Sequence, residues 1–227
     1  DENNLCPWAM RSLLIEDGDR LILIDNGIGD KQSDKFFKHY YLHGDASLNS
    51  SLAACGFSPD DITDVFLTHL HFDHCGGSVI KQNDKLLPTF KNAIYWSNQK
   101  HWNWAVYPNE REKASFLKEN ILPMQESGHL KFVDPRQPSP FPQFDIFYAN
   151  GHTDKMMLPL INYNGNKLAY MADLLPSSSH IPLPYIMGYD VRPLDTLQEL
   201  FGDDLVGVHV HPIQRGYQAG MAHERLH

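Results

Sequence analysis

Six consecutive residues, His69-Leu70-His71-Phe72-Asp73-His74, contain four side chains that can bind a metal ion. They follow the apolar run Val65-Phe66-Leu67, which is typical of a buried strand, and they precede the pair Gly76-Gly77. In an extended segment the first and third side chains point to the same side, and a turn then lets the last two face a neighbouring position. A solvated loop that is rich in histidine by chance is the alternative, but four ligand-type side chains in six residues argue against it. The segment therefore predicts a metal site.

The composition is that of a folded, acidic and histidine-rich protein. The chain has 227 residues, 13 of them histidines, and a formal net charge of −9. Because this charge disfavours contact with phosphate backbones and anionic lipids, we expect a small-molecule substrate and neither a nucleic-acid nor a membrane partner. The three cysteines form no CxxC pair, no signal peptide is visible, and no apolar run reaches the length of about 20 residues that a membrane span needs. We therefore expect a cytoplasmic protein.

The order of predicted elements favours a mixed α/β sandwich over a doubly wound parallel sheet, because strands come in runs with helices between and after them. Ala9 to Gly27 predicts a hairpin, and Leu158 to Met171 predicts another around the turn Asn164-Gly165. Residues 31–56 and 97–122 are expected to be mainly helical, with Gly56 ending the first segment. Further strands are predicted at residues 65–68, 93–96, 131–133 and 144–148 and at Leu205 to Val210.

The segment from Thr68 to Gly77 resembles the signature of the metallo-β-lactamase superfamily. Three further landmarks resemble motifs of that family in the same order: Ile24-Asp25-Asn26-Gly27, Asn150-Gly151-His152-Thr153 and Ala172-Asp173. The resemblance covers residues 9–195 and implies an αββα sandwich, in which two mixed sheets are flanked by helices. We expect a single domain over residues 1–227; the family has additional strands ahead of residue 9, and the segment 196–227 departs from its pattern.

The resemblance also implies a set of ligands for two zinc ions. By position, the set comprises His69, His71 and His152 on the first ion, Asp73 and His74 on the second, and Asp173 as the bridge between them. The family has one more histidine on the second ion, after a late strand, but its usual His-Asp pair is absent here. We expect His211, at the end of that strand, in preference to His209; the alternative is that neither binds metal.

Such a pair of zinc ions implies hydrolysis by a metal-bridging hydroxide, since the ions lower the pKa of bound water and polarise a carbonyl or phosphoryl oxygen. Asp73 or Asp173 could take the proton and pass it to the leaving group. Cys75, beside His74, is an alternative nucleophile or ligand. A small buried residue is the more usual occupant of that position, so we expect no covalent role for the thiol.

The expected substrate class rests on the resemblance. A bridging aspartate fits lactonases, glyoxalase II-type thioesterases and organophosphate hydrolases better than it fits the antibiotic-hydrolysing members. Residues 96–133 and 173–190 resemble segments of the N-acyl homoserine lactonases, so we expect a quorum-quenching lactonase that opens the lactone ring. In those enzymes a phenol near the metals helps to hold the lactone carbonyl, and Tyr189 or His180 are the candidates here. An organophosphate triesterase, a thioesterase and a non-catalytic metal-binding protein remain alternatives.

Aromatic residues in the lactonase-like segment have two interpretations. Trp102, Trp104 and Tyr107 could line a channel for the acyl chain. Alternatively, Trp102, Trp104 and Phe116 are core residues under a surface helix. The sequence is compatible with both a monomer and a homodimer.

Overall fold

The computed structural model of the protein describes residues 2, 6–182, 184–202, 205 and 222–225. Its first elements are the strands β1 (Leu13–Asp17) and β2 (Arg20–Ile24), which pair antiparallel. Gly18 takes a φ of 59° in the turn between them, a conformation that glycine adopts without steric cost. The predicted N-terminal hairpin is therefore confirmed.

A six-stranded mixed sheet contains this hairpin. Its order is β11-β1-β2-β3-β6-β7, where the added strands are β3 (Asp64–Phe66), β6 (Ile94–Ser97), β7 (Leu130–Phe132) and β11 (Ala222–Arg225). The strands β2, β3, β6 and β7 run parallel to one another, so the carboxyl ends of β2 and β3 meet at one edge of the sheet. The loops that follow those two strands carry the Asp25 and His69 motifs, and the sheet thereby brings the motifs together.

Two smaller sheets complete the β-structure of the described residues. One is the antiparallel three-stranded sheet β10-β9-β8, formed by β8 (Phe144–Ala149), β9 (Met156–Tyr163) and β10 (Asn166–Ala169). The turn of the β9–β10 hairpin has positive φ at Asn164 and Gly165, as the Asn-Gly pair predicts. The other is the hairpin of β4 (Val79–Gln82) and β5 (Lys85–Pro88), which the sequence did not reveal, because most of its side chains are exposed and follow no clear alternation.

The helices are shorter than the sequence predicted. Residues 31–56 contain α1 (Asp34–Phe37) and α2 (Leu48–Ala54), followed by Gly56 with a φ of 87°. The short helix α3 (Phe72–Cys75) lies inside the histidine motif. Residues 97–122 divide into α4 (Gln99–Val106) and the start of α5 (Lys118–Glu126), and α6 (Pro193–Phe201) follows later. Within the described part of the chain, no helix is long and apolar enough to cross a membrane.

Alternate residues of β1 and β2 are buried on opposite faces of the large sheet. On one face, Ile22, Ile24 and Phe66 pack against residues of β8 and β9, which forms the core between the two sheets. On the other face, Leu21 and Leu23 share a core with residues of α2, α4 and α5. Burial on both faces explains the continuous apolar runs and confirms the predicted mixed α/β sandwich. The predicted last strand, Leu205 to Val210, lies outside the described residues except for Leu205.

Candidate metal centre

Asp25 links the ends of β2 and β3. Its backbone N–H donates to the carbonyl of Phe66 at 3.0 Å, and its φ of 54° turns the chain sharply out of the strand. Aspartate tolerates this left-handed conformation better than most residues do. The buried carboxylate accepts three hydrogen bonds of 2.8 Å, from the Thr68 N–H, the Thr68 hydroxyl and Nδ1 of His74. Asp25 therefore holds the start and the end of the histidine motif in one place.

Three histidines form the first candidate metal group. Ligand atoms of His69, His71 and His152 lie within 4.8 Å of one another, and all three side chains are buried. Nδ1 of His71 is 3.1 Å from Nε2 of His152, while Nε2 of His69 is buried without a hydrogen-bond partner. An unsatisfied buried nitrogen costs about 1–3 kcal/mol, and a metal ion would remove that cost. Burial lowers the pKa of His69 and His71, which favours the neutral imidazole that binds metal. The residues thus fit a divalent ion.

Carboxylates hold the outward-facing nitrogens of this group. Nε2 of His71 lies 3.3 Å from Glu112, and Nδ1 of His152 lies 3.2 Å from Asp190. Asp190 in turn accepts a hydrogen bond of 2.8 Å from the hydroxyl of Thr196. Burial raises the pKa of Glu112, but hydrogen bonds led by that from His71 outweigh it and lower this pKa to about 2. Partners of this kind fix the tautomer and orientation of metal-binding histidines.

A second candidate group consists of His69, His74 and Asp173, whose ligand atoms also lie within 4.8 Å of one another. One oxygen of Asp173 is 3.2 Å from Nε2 of His74, and the other is 3.3 Å from Nε2 of His152. The carboxylate thus lies between the two groups. Asp73 is 3.7 Å from Nε2 of His74. Burial lowers the pKa of His74, but Asp173 and Asp73 raise it well above its ordinary value, and the same negative field would attract a metal cation.

Glycines allow the loops of the centre to approach closely. A Cβ atom on Gly76 would collide with the carbonyl of Ile28, and one on Gly77 would collide with the carbonyl of Asn26. The close contact lets the Asn26 N–H donate to the carbonyl of His74 at 2.9 Å. The loop after β2 is thereby fixed against α3, which carries the second half of the histidine motif.

The structure brings six of the predicted ligands together: His69, His71, Asp73, His74, His152 and Asp173. Their binding of metal remains a prediction. His209 and His211 lie outside the described residues, so the choice between them also remains a prediction. Cys75 is buried, its thiol donates to the carbonyl of Leu70 at 3.3 Å, and burial raises its pKa, which disfavours the thiolate that a nucleophile or ligand needs.

Of the two candidates for holding a lactone carbonyl, Tyr189 is exposed at the surface, and His180 contacts residues outside the predicted ligand set. Tyr189 is 80% exposed. Nδ1 of His180 lies 2.7 Å from the hydroxyl of Ser177, and its ring lies 6.4 Å from that of Trp8. Both proposed roles remain predictions.

Several residues of the centre were not found from the sequence. Glu112, Asp190 and His101 lie far from the histidine motif in the chain, and no local pattern marks them. Asp25 did carry a signal, because it follows an apolar run inside a motif of its own, but its three hydrogen bonds could not be foreseen. Tyr170 is a further phenol near the centre: burial, and then the charges of Asp25 and Asp173, raise its pKa well above the ordinary value.

Solved structures with a similar fold include two hydrolases and a lactonase. A probable metal-dependent hydrolase from Staphylococcus aureus is 26% identical, with a TM-score of 0.73 over 82% of this chain and 65% of that one. AidC, a dizinc quorum-quenching lactonase in complex with a product, is 27% identical, with a TM-score of 0.67 over 82% of this chain and 64% of that one. The hydrolase AbOPH is 21% identical, with a TM-score of 0.63 over 81% of this chain and 62% of that one, and at that identity shows the fold alone.

The chain spans 62–65% of the length of these three proteins. Comparison with curated proteins gave no match. The family model of the metallo-β-lactamase superfamily, in contrast, matches residues 11–212, which include every motif described above. Since that match covers most of the sequence and the sandwich fold agrees with it, the chain belongs to the metallo-β-lactamase superfamily.

Proposed function

We propose that the protein is a dinuclear zinc hydrolase that opens the lactone ring of N-acyl homoserine lactones. The observation that carries this proposal is the position of Asp173, whose two carboxylate oxygens lie 3.2 Å from His74 and 3.3 Å from His152. A carboxylate between two groups of imidazoles is suited to bridging two ions. The similarity to AidC, a dizinc lactonase, supports the choice of metal and of substrate.

The chain's own residues would orient the ions and move a proton. When bound, two zinc ions supply an activated water and polarise the carbonyl of the substrate. Glu112, Asp190 and Asp25 hold the imidazole rings in fixed orientations. Asp73, whose side chain is 36% exposed, can accept a proton from the attacking water and return it to the oxygen that leaves when the ring opens.

The apolar surface for an acyl chain differs from the one that the sequence suggested. Trp102 is a core residue with 5% exposure, and Phe116 is buried as well. Trp104 donates a hydrogen bond of 2.7 Å to Glu112 and lies under the guanidinium of Arg192 at 5.2 Å. Trp104 therefore supports Glu112, Trp102 belongs to the core, and Tyr107 is 83% exposed.

A different set of aromatic side chains lies beside the centre. The ring of Phe72, between His71 and Asp73 in the chain, is 5.4 Å from Phe36 and 4.9 Å from Tyr40. Tyr40 is 42% exposed, and burial and then the charge of Asp73 raise its pKa. We propose that the acyl chain packs against Phe36, Tyr40 and Phe72, which we call the aromatic cluster.

A hydrolysis panel on zinc-loaded protein tests the proposed function. It contains acyl homoserine lactones of several lengths, an aryl phosphotriester, a glutathione thioester and a β-lactam, with Asp173→Asn as the matched control. We expect ring opening of the lactones by the wild type and a large loss in the variant. Intact lactones together with rapid cleavage of a phosphotriester or thioester would identify one of the alternative hydrolases. Bound zinc without any turnover would identify a non-catalytic metal-binding protein.

A further inference from the structure

His101 connects two loops of the candidate metal centre without belonging to either metal group. It lies in the first turn of α4 and is 1% exposed. Its Nε2 accepts a hydrogen bond of 2.9 Å from the N–H of Leu70, and its Nδ1 is 2.6 Å from the carbonyl of Asp154. Leu70 separates His69 from His71, and Asp154 follows His152 by two residues. Both ring nitrogens therefore make hydrogen bonds to the backbone of loops that carry predicted ligands.

The hydrogen bonds fix the chemical form of this ring. Nε2 can accept from Leu70 only when it carries no proton, so the ring is neutral and its Nδ1–H donates to Asp154. The peptide group on the other side of Leu70 is held as well, because its carbonyl accepts from the thiol of Cys75 at 3.3 Å. The backbone between two predicted ligands is thus held from both sides.

The start of α4 makes a second connection to the same loop. Asn98 caps the helix by accepting a hydrogen bond of 2.9 Å from the N–H of His101. Its side-chain amide donates to the carbonyl of Lys155 at 2.8 Å. The two side chains hold adjacent carbonyls of the loop that follows His152, so this loop cannot move without breaking both contacts.

We propose that His101 is a positioning residue for metal binding, which sets the separation between the loop of His69 and His71 and the loop of His152. The inference rests on the proposed metal centre. Nδ1 of His71 and Nε2 of His152 lie 3.1 Å apart, and a metal site tolerates ligand shifts of only about 0.2 Å. Loss of the connection would let the two loops move apart, and the affinity for the metal would therefore decrease.

Three variants distinguish this role from a general contribution to stability. His101→Leu fills the space without either hydrogen bond, whereas His101→Gln can still accept from Leu70 and donate to Asp154. Thr63→Val is the matched control, because the half-buried Thr63 hydroxyl also makes two backbone hydrogen bonds, which join it to the N–H and the carbonyl of Leu21 at 2.9 Å and 3.2 Å. Thr63 immediately precedes β3, so it lies at the end of this strand that is away from the centre.

The test is zinc affinity measured by competition with a chromophoric chelator, at a temperature where circular dichroism shows every variant folded. We expect His101→Leu to weaken zinc binding by about 10–100-fold and His101→Gln to recover most of that loss. Thr63→Val should lower the melting temperature and leave zinc affinity unchanged. Absorption spectra of the cobalt-substituted proteins should change in His101→Leu alone.

Zinc affinity of His101→Leu equal to that of the wild type would overturn the inference, as would a His101→Gln variant that binds as weakly as His101→Leu. A wild-type chain that binds no zinc would overturn the proposed function and this inference together. Unchanged zinc affinity in His101→Leu would overturn the inference alone, so the two failures are distinguishable. If His101→Leu does not fold, His101→Asn replaces it, because a polar side chain too short to span both backbones should show the same loss of affinity.

Discussion

The carboxylate of Asp25 accepts the Nδ1–H of His74 at 2.8 Å, and Nε2 of the same ring faces Asp173 at 3.2 Å. The ring is therefore oriented from behind by one carboxylate while its free nitrogen points at another. Asp25 reaches this position because its φ of 54° turns its side chain away from the course of β2. Asp25, which is not among the predicted ligands, therefore orients a ligand of the second metal group.

Asp25→Ala should therefore weaken the second group selectively. Loss of an outer partner of a metal-binding histidine typically costs about 10–100-fold in metal affinity. We expect elemental analysis after dialysis to show loss of one ion and retention of the other. Asp145→Asn, which changes a carboxylate that is 69% exposed in a surface pair with Lys167, is the control and should keep wild-type metal content. Full occupancy of both sites in Asp25→Ala would contradict the assignment.

Metal stoichiometry tests the two groups directly. We expect about two zinc ions per reconstituted chain, because Asp173 contacts both groups. His152→Ala should weaken the first site, whereas Asp173→Ala should weaken both, as measured by elemental analysis. A wild-type content of one ion or none would refute the two-metal proposal.

The late histidine is tested by a pair of substitutions. If His211 completes the second site, His211→Ala should lower metal occupancy and hydrolysis rate, while His209→Ala should change little. The reverse result would assign the role to His209. Wild-type behaviour of both variants would show that this segment supplies no ligand.

Selectivity for acyl length tests the aromatic cluster. Truncation in Phe36→Ala should raise KM for long-chain lactones by about ten-fold, because an apolar contact of this size contributes about 1–3 kcal/mol. Short-chain lactones should be affected much less. Tyr107→Ala is the control, since Tyr107 is 83% exposed. Equal effects of Phe36→Ala on all chain lengths would place the acyl chain elsewhere.

The ion pair of Arg20 with Asp64 should make stability depend on pH. Arg20 donates to both carboxylate oxygens, at 2.7 Å and 3.0 Å, and Trp96 adds a hydrogen bond of 2.8 Å. Burial raises the pKa of Asp64, but these hydrogen bonds and the Arg20 charge outweigh it, so this pKa is lowered on folding. The pair therefore stabilises the fold above the ordinary aspartate pKa of about 4, and this contribution is lost as pH falls through the lower folded value.

Asp64→Asn should accordingly destabilise the protein at neutral pH by about 3 kcal/mol, because it leaves a partly buried arginine without its partner. Urea titrations at neutral pH and near pH 3 should show a difference from the wild type that shrinks in acid. Asp84→Asn removes a pair in which the carboxylate is 94% exposed, and should change stability by less than about 1 kcal/mol. A pH-independent effect of Asp64→Asn would contradict the electrostatic explanation.

The sequence by itself determined the buried strands of the large sheet and the ligand motif. Apolar runs such as Leu21-Ile22-Leu23-Ile24 predict strands that are buried on both faces, and the structure buries all four of these side chains. The spacing within His69 to His74 predicts clustered ligands, because neighbouring side chains in a short loop have few directions to point. These are local properties, set by the backbone geometry of a few adjacent residues.

Only the tertiary structure decided which residues support those ligands and which aromatic side chains are free to meet a substrate. Glu112 reaches His71 across 41 residues, Asp190 reaches His152 across 38, and His101 reaches Leu70 across 31. Trp102 could not be distinguished from a channel residue until α4 was placed against the large sheet. Such contacts depend on how separate elements pack. The periodicity of the sequence carries no information on the distance between residues that lie so far apart in the chain.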